Sequence, residues 1–423
     1  MAIFRPFRAI RPRAELAQHV AALPYDTMSS AEARERAAGN PHSFLHIDMA
    51  EIDLPEGTGL YDDIVYETAA ANLRRFIEEG TFQQDDTPQF YIYRQTWHGH
   101  VQTGLVGCAC IDDYRNNVIK KHELTTVAKE EDRIRHVTAC NANTGPIFLA
   151  YRDQQGVAAL LEDWCGKYSC EYDFTTEGGF RQEVWPVSCV TLIEKLQAAF
   201  AATDSLYIAD GHHRCASAAH VGFDRRAQNP DYTGDEEFNF FLAVAFPEDQ
   251  LTILDYNRVV KDLNGLSPAA YLSRLENQFD VRLSGPAGKP CRPGAAHHFG
   301  MFLDGQWYLL RARRGSFDAN DPVAELDVSV LQNNLLAPIL GIKDPRRDKR
   351  IKFIGGIRGL GELERRCAAH RDGAQGDMRV AFAMYPTTTK ELMDIADSGN
   401  IMPPKSTWFE PKLLSGLFIH DLE

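Results

Sequence analysis

Leu206-Tyr-Ile-Ala-Asp-Gly-His-His-Arg-Cys-Ala-Ser-Ala-Ala-His220 is a short apolar run that breaks at Asp210-Gly211 and restarts as a helix-forming segment. The pattern predicts strand, tight turn, helix. The first N–H groups of a helix have no partner within it, and here Gly211, His212, His213 and Arg214 set small, imidazole and guanidinium groups beside them. The expected product is an anion site, for phosphate above all. Asp and Gly alone would signify no more than a cap and a turn. Three cationic or cationisable groups at the positive end of a helix dipole weaken a purely structural helix start, so they point to a ligand.

The rest of the chain bounds the class. It has 423 residues, 44% hydrophobic and 25% charged, enough for a sizeable core and two or three domains. Its net charge of -14 (45 basic minus 59 acidic) opposes non-specific binding to nucleic acid but allows a small anionic ligand where cations gather in one pocket. The start, Met1-Ala-Ile-Phe-Arg-Pro-Phe-Arg, does not read as a signal peptide, and no stretch of 18 apolar residues lacks charge, so no membrane partner and a cytoplasmic location are expected. The nine cysteines form no repeated framework and are expected as free thiols. Cys108-x-Cys110 and Cys165-x4-Cys170 lack the partners of a structural zinc site.

Alternating elements without internal repeats give a mixed α/β (α+β) fold. Helices are expected over 31–38, 61–79, 157–164, 190–202 and 268–279. Strands are expected over 89–95, 104–112 and 206–209, and over 238–246 and 251–260 as a pair around Pro247-Glu248-Asp249. Segments 296–303 and 306–311 flank Asp304-Gly305, a two-residue hairpin signal. The Gly- and Pro-rich loop 284–293 suggests a peripheral C-terminal part. The division expected is a core over 1–264 and a C-terminal α+β region over 265–423 whose final loop returns to the site. Gly355-Gly-Ile-Arg-Gly-Leu-Gly361 is read as lacking the strand–helix setting of a dinucleotide fingerprint, and there is no P-loop.

Two further clusters carry chemistry. Lys120-Lys-His-Glu-Leu-Thr-Thr-Val-Ala-Lys-Glu-Glu-Asp-Arg-Ile-Arg-His136 follows a strand, where open α/β sheets place functional groups. His122-Glu123 starts like a zinc-peptidase helix, but Thr126 stands where the second histidine belongs, so that reading is rejected. Residues 129–135 read as the solvated face of a helix ahead of any functional role. Glu123, flanked by Lys121 and His122 and followed by Thr125, stays ionised and suits Mg²⁺ or a substrate proton. Near the C-terminus, Pro403, Pro404 and Pro411 hold Lys405, Ser406, Thr407 and Lys412 in an extended segment suited to phosphate oxygens. Trp408, Phe409, Leu413, Leu414 and Phe418 imply that this end packs into the body. Leu23-Pro-Tyr-Asp26 reads as a turn.

Pro-Tyr-Asp at 24–26, Lys-His-Glu-x-Thr at 121–125 with Lys129 to Arg133 behind it, Tyr-Ile-Ala-Asp-Gly-His-His-Arg at 207–214, and Met-Pro-Pro-Lys-Ser-Thr-x-Phe-x-Pro-Lys-x-x-x-Gly at 402–416 together resemble the DUF1015 family over nearly the whole chain. The Asp-Gly-His-His-Arg element resembles that of the ParB-related free serine kinases. The resemblance implies a ParB-like phosphate-binding core and ATP-dependent (or ADP-dependent) phosphorylation of a small molecule, an amino acid such as free L-serine, with Mg²⁺. A homodimer stays open. It further implies that Gly211, His212 and Arg214, with Lys121, Arg133, Lys405, Ser406, Thr407 and Lys412, hold phosphates. Glu123, Asp210 and His213 would be catalytic, with Glu123 and Asp210 also holding the metal. Tyr25, Asp26, His122, Thr125 and Arg258 would meet the substrate. Asn257 stands where the family usually has histidine. The alternative kept open is a nucleotide- or phosphate-binding regulatory protein without catalysis, and a ParB-like DNA-binding role is disfavoured by the charge.

Overall fold

In the computed structural model, residues 2–368 and 378–423 are described, and the chain divides into two compact units, Met1–Leu251 with Pro411–Glu423, and Thr252–Glu410. The protein is a mixed α/β fold with several sheets.

The first unit is built on a sheet of nine strands. From one edge these are Ile119–Lys120, Leu206–Asp210, Ile147–Tyr151, Phe240–Pro247, His100–Cys110, Phe90–Trp97, Arg181–Val187 and Tyr172–Thr175, with Phe4–Arg5 also paired to His100–Cys110. Two pairings are parallel, Ile119–Lys120 with Leu206–Asp210 and Ile147–Tyr151 with Phe240–Pro247, and the rest are antiparallel. Strands Ile147–Tyr151 and Phe240–Pro247 are buried along their whole length, which explains their unbroken apolar sequences. The core gathers Leu105, Leu149, Ile208 and Phe241 from the sheet with Leu161, Leu196, Phe200 and Cys215 from helices Val157–Lys167, Val190–Ala201 and His212–Gln228.

A second cluster joins Val20, Phe44, Ile47, Phe76 and Phe82 to Ile419. Here the end of the chain is tied in by paired backbone bonds between Ala22 and Ser415 and between Ile10 and Ile419, at 2.8–3.1 Å. Gly416 is required at its position: its φ is +88°, and a Cβ there would lie 2.7 Å from the Phe44 ring.

In the second unit, a six-stranded antiparallel sheet runs Phe279–Pro286, Gln306–Ala312, His298–Leu303, Val380–Ala383, Tyr256–Val260, Ile351–Gly355. The Asp304-Gly305 turn forms as expected, with both residues at positive φ (49° and 75°).

Three sequence expectations change. The units part at 251/252, not 264/265, because Tyr256–Val260 is hydrogen-bonded between two strands of the second sheet. The strands either side of Pro247 form but do not pair with each other. Phe240–Pro247 lies in the large sheet, while Thr252–Leu254 pairs with Trp408–Glu410. Gly355 to Gly361 does have a strand–helix setting, Ile351–Gly355 followed by Leu360–Ala368. The strand is an antiparallel edge, however, and the first two glycines serve packing. A Cβ on Gly355 would meet the Trp408 ring at 2.8 Å, and one on Gly356 would meet Asp255 at 2.6 Å.

Candidate anion and metal site

Strand, turn and helix form where the opening segment predicts them: Leu206–Asp210, Gly211, His212–Gln228. Gly211 takes φ +92°, a left-handed conformation that lets the chain reverse directly into the helix. The first bond of the helical ladder runs from the Cys215 N–H to the Gly211 carbonyl, so the N–H groups of residues 212–214 point out of the helix end.

Asp210 stands at that end. Its carboxylate accepts the Gly211 N–H at 2.9 Å and the Lys412 Nζ at 2.7 Å. Burial pushes this carboxyl up, but Lys412, and after it Arg214, outweigh it and hold the group well below the usual aspartate range. The side chain of Lys412 is 11% exposed and that of Asp210 38%, so the carboxylate still opens to solvent. Lys412 is positioned by its own backbone carbonyl, which accepts Gln95 Nε2 at 2.9 Å.

Along the helix the side chains diverge. His213 Nε2 accepts the Thr126 N–H at 3.1 Å, which ties the loop 121–126 to the helix and requires that nitrogen unprotonated. Arg214 turns inward. Its Nη1 donates to the Pro146 carbonyl at 2.8 Å, its Nη2 lies 3.9 Å from Asp26, and its Cζ stands 5.8 Å from the Tyr25 ring. On the same ring, at 4.1 Å, lies Arg133, itself paired with Asp132 at 2.9 Å and Asp48 at 3.7 Å. A small pocket is lined there by Tyr25, Asp48, Arg133, His136 and Arg214. Burial, and after it Arg133, keeps His136 below the usual imidazole range.

His122, Glu123 and His212 form a third group. Burial lowers His122 to about 4, and it holds His212 well below the usual imidazole range, so both rings are neutral near pH 7. Glu123 is grouped with these imidazoles and not with Asp210, the carboxylate expected to share a metal with it.

The remaining expected residues lie as follows. Thr125 donates its hydroxyl to Glu130 at 2.6 Å, at the start of helix Val127–Cys140. Lys121 Nζ rests 5.1 Å over the Tyr114 ring. Lys405, Ser406, Thr407 and Arg258 belong to the second unit. There Ser406 donates to the Pro403 carbonyl at 2.6 Å, and Arg258, lowered to about 10 by burial, donates to the Lys405 carbonyl at 3.0 Å. Asn257 is a buried clamp, donating to Asp255 and accepting the Met384 N–H at 2.9 Å. Asp48 and His136 went unassigned in the sequence. Asp48 sits in a four-residue helix with no motif around it, and His136 looks like one more polar residue of a charged helix.

A mixed sheet here presents a strand–turn–helix end beside a lysine–carboxylate pair, with two arginines over one tyrosine ring. The chain belongs to the family described as Protein of unknown function (DUF1015), matched over residues 4–329. No curated protein matches it. It is similar to solved structures that include a free serine kinase in complex with AMP (15% identity, 74% of this chain and 91% of that chain covered, TM-score 0.35). A conserved hypothetical protein from Pyrococcus furiosus is another (14%, 74% and 94%, TM-score 0.33). SbnI with C-terminal truncation from Staphylococcus aureus is a third (13%, 73% and 85%, TM-score 0.35). Among the described residues no helix is long and apolar enough to cross a membrane.

Proposed function

We propose that the protein is a cytoplasmic small-molecule kinase that moves a phosphoryl group from ATP (or ADP) to the hydroxyl of a free amino acid. L-Serine is the acceptor implied by the motif resemblance. The observation that carries this reading is the pairing of Lys412 with the ionised Asp210 beside a helix end whose first N–H groups point outward. Phosphoryl transfer asks the protein mainly for positioning and for fixed positive charge at the phosphate oxygens. In this reading the helix end and Lys412 face the phosphates, Arg214 stands between them and the pocket beside Tyr25, and Asp210 accepts the hydrogen bond of the acceptor hydroxyl. Arg133 takes the amino acid's carboxylate in the pocket beside Tyr25, and Asp26 faces its ammonium.

Mg²⁺ prefers an octahedral set of oxygens. Asp210 is bound to Lys412 and Glu123 is grouped with two imidazoles, so these residues do not make an all-oxygen cage. Mg²⁺ would therefore be held by the nucleotide phosphates, where it would supply charge neutralisation.

The Lys412–Asp210 pair favours a second reading, nucleotide or phosphate binding without transfer, because a carboxylate held so strongly ionised accepts a proton poorly. One assay separates the two. Purified protein with ATP or ADP, Mg²⁺ and serine is followed by phosphorus NMR for O-phosphoserine. Product that disappears in His213→Ala or Arg214→Ala supports the kinase. Calorimetric nucleotide binding with no transfer across an amino-acid panel selects the binding protein, and no nucleotide binding ends both.

A further inference from the structure

Strand pairing brings together two histidines 90 positions apart. Ile119 and Lys120 pair in parallel with Leu206 and Tyr207, so both strands end on the same side of the sheet. Two residues beyond Lys120 comes His122, and two residues beyond Asp210 comes His212, the first residue of its helix. Their rings meet edge to face with centroids 4.4 Å apart and planes at 87°. Glu123 completes the group: one ligand atom from each of the three side chains lies within 4.8 Å of the other two.

The second observation concerns His122 itself. The residue is 1% exposed, and neither ring nitrogen makes a hydrogen bond of acceptable geometry, although the Ile208 carbonyl faces the ring. A buried imidazole left in this state normally has a partner. A metal ion is the partner that would use its lone pair, the His212 lone pair and the Glu123 carboxylate together.

We propose that His122, Glu123 and His212 bind a divalent first-row transition ion of the Zn²⁺ type, with the remaining coordination position open to water or a ligand oxygen. Imidazole with carboxylate suits Zn²⁺ and its neighbours, whereas Mg²⁺ and Ca²⁺ select oxygen donors. Three protein ligands and an open position is the arrangement of zinc sites that bind or activate a further molecule. Zinc bonds of about 2.1 Å place tetrahedral ligands roughly 3.4 Å apart, so the three side chains would draw together on loading. The contact from the His122 backbone N–H to His212 Nε2 must yield, and at 3.4 Å it is long and weak. The other described cluster of three such groups, Cys170, Asp173 and Glu183, is less suited, since Arg181 already bonds Asp173 at 2.8 Å and lies 3.0 Å from Glu183.

The site does not depend on the phosphoryl-transfer reading, and its test contains no nucleotide. Full-length protein, stripped with chelator and dialysed, is titrated with Zn²⁺ by calorimetry and with Co²⁺ by visible absorption. The expected result is one ion per chain with Co²⁺ bands of imidazole–carboxylate ligation, and Mg²⁺ affinity weaker by at least about tenfold. Glu123→Gln and His212→Ala each weaken Zn²⁺ by about tenfold or more. Cys170→Ser leaves it unchanged. Should His212→Ala fail to fold, the near-isosteric Glu123→Gln, at a partly exposed position, decides alone. Absence of uptake, equal Mg²⁺ affinity, or uptake that Glu123→Gln does not weaken overturns the proposal.

Discussion

Asp210 ties the helix end to the chain's C-terminal segment, and its chemistry sets two expectations. Because its folded pKa is depressed, the stability it contributes is present above the ordinary aspartate range and is lost as pH falls from that range down through its depressed folded value. Lys412→Met should therefore destabilise the protein at pH 7, by about 1 kcal/mol, because solvent screens the Asp210 end of the pair. At pH 3 the loss should shrink. Urea melts at both values check this, and an equal loss at both would show that Lys412 acts through packing instead. Gly211→Ala isolates the turn. The nearest atom to the added Cβ is Ile147 Cα at 3.7 Å, so the cost is that of the left-handed backbone alone, about 1 kcal/mol in thermal unfolding. Gly211→Asn should cost less. At this scale the sequence was informative about Asp210, Gly211 and Arg214, whose local spacing fixes their placement. It was silent on the partnership of His122 with His212, because a parallel pairing of distant strands leaves no periodic trace between them.

Helices and the hairpin were legible because their signals are local. Ser29 caps helix Ser30–Ala37 with a reciprocal Glu32 bond, and Asp304-Gly305 sets its turn. Strand partners were not legible: nothing in 238–260 tells that its three strands join three different sheets, nor that Gly355 is small because the Trp408 ring presses on it. One element carries a prediction of its own. Asp327 begins helix Asp327–Leu331, and burial raises its carboxyl to about 7 even though it accepts the His297 N–H at 2.7 Å. A raised carboxyl contributes stability below its unfolded value and loses it as pH rises through 7. Asp327→Asn should thus stabilise the protein at pH 8 by about 2 kcal/mol and do little at pH 4. Melting temperatures across that interval test the sign, and a variant less stable at pH 8 would mean that the charged form is favoured.

On the scale of the molecule, the chain crosses between units at 251/252 and again at 410/411. The last thirteen residues belong to the first unit, where Leu413, Leu414, Leu417, Phe418 and Ile419 are buried. Burying an apolar side chain of this kind contributes roughly 1.5–3 kcal/mol. Five of them match the whole stability of an ordinary domain, about 5–15 kcal/mol. Deleting residues 411–423 is expected to abolish cooperative unfolding and expose the first unit to proteolysis, besides removing Lys412. A truncated chain that still melts cooperatively at the wild-type temperature would contradict this. The apolar residues after Pro411 signalled that the end packs into the body, but the unit it joins is a matter of tertiary contact that composition does not encode.

The central claim, that the helix end at residues 210–214 with Lys412 holds phosphate, is tested most directly by a crystal structure of the protein soaked with ADP and Mg²⁺. The account predicts phosphate oxygens within hydrogen-bond distance of the N–H groups of residues 212–214, with Lys412 or Arg214 turned toward them. Nucleotide bound elsewhere, with the Lys412–Asp210 pair and the helix end untouched, would contradict it.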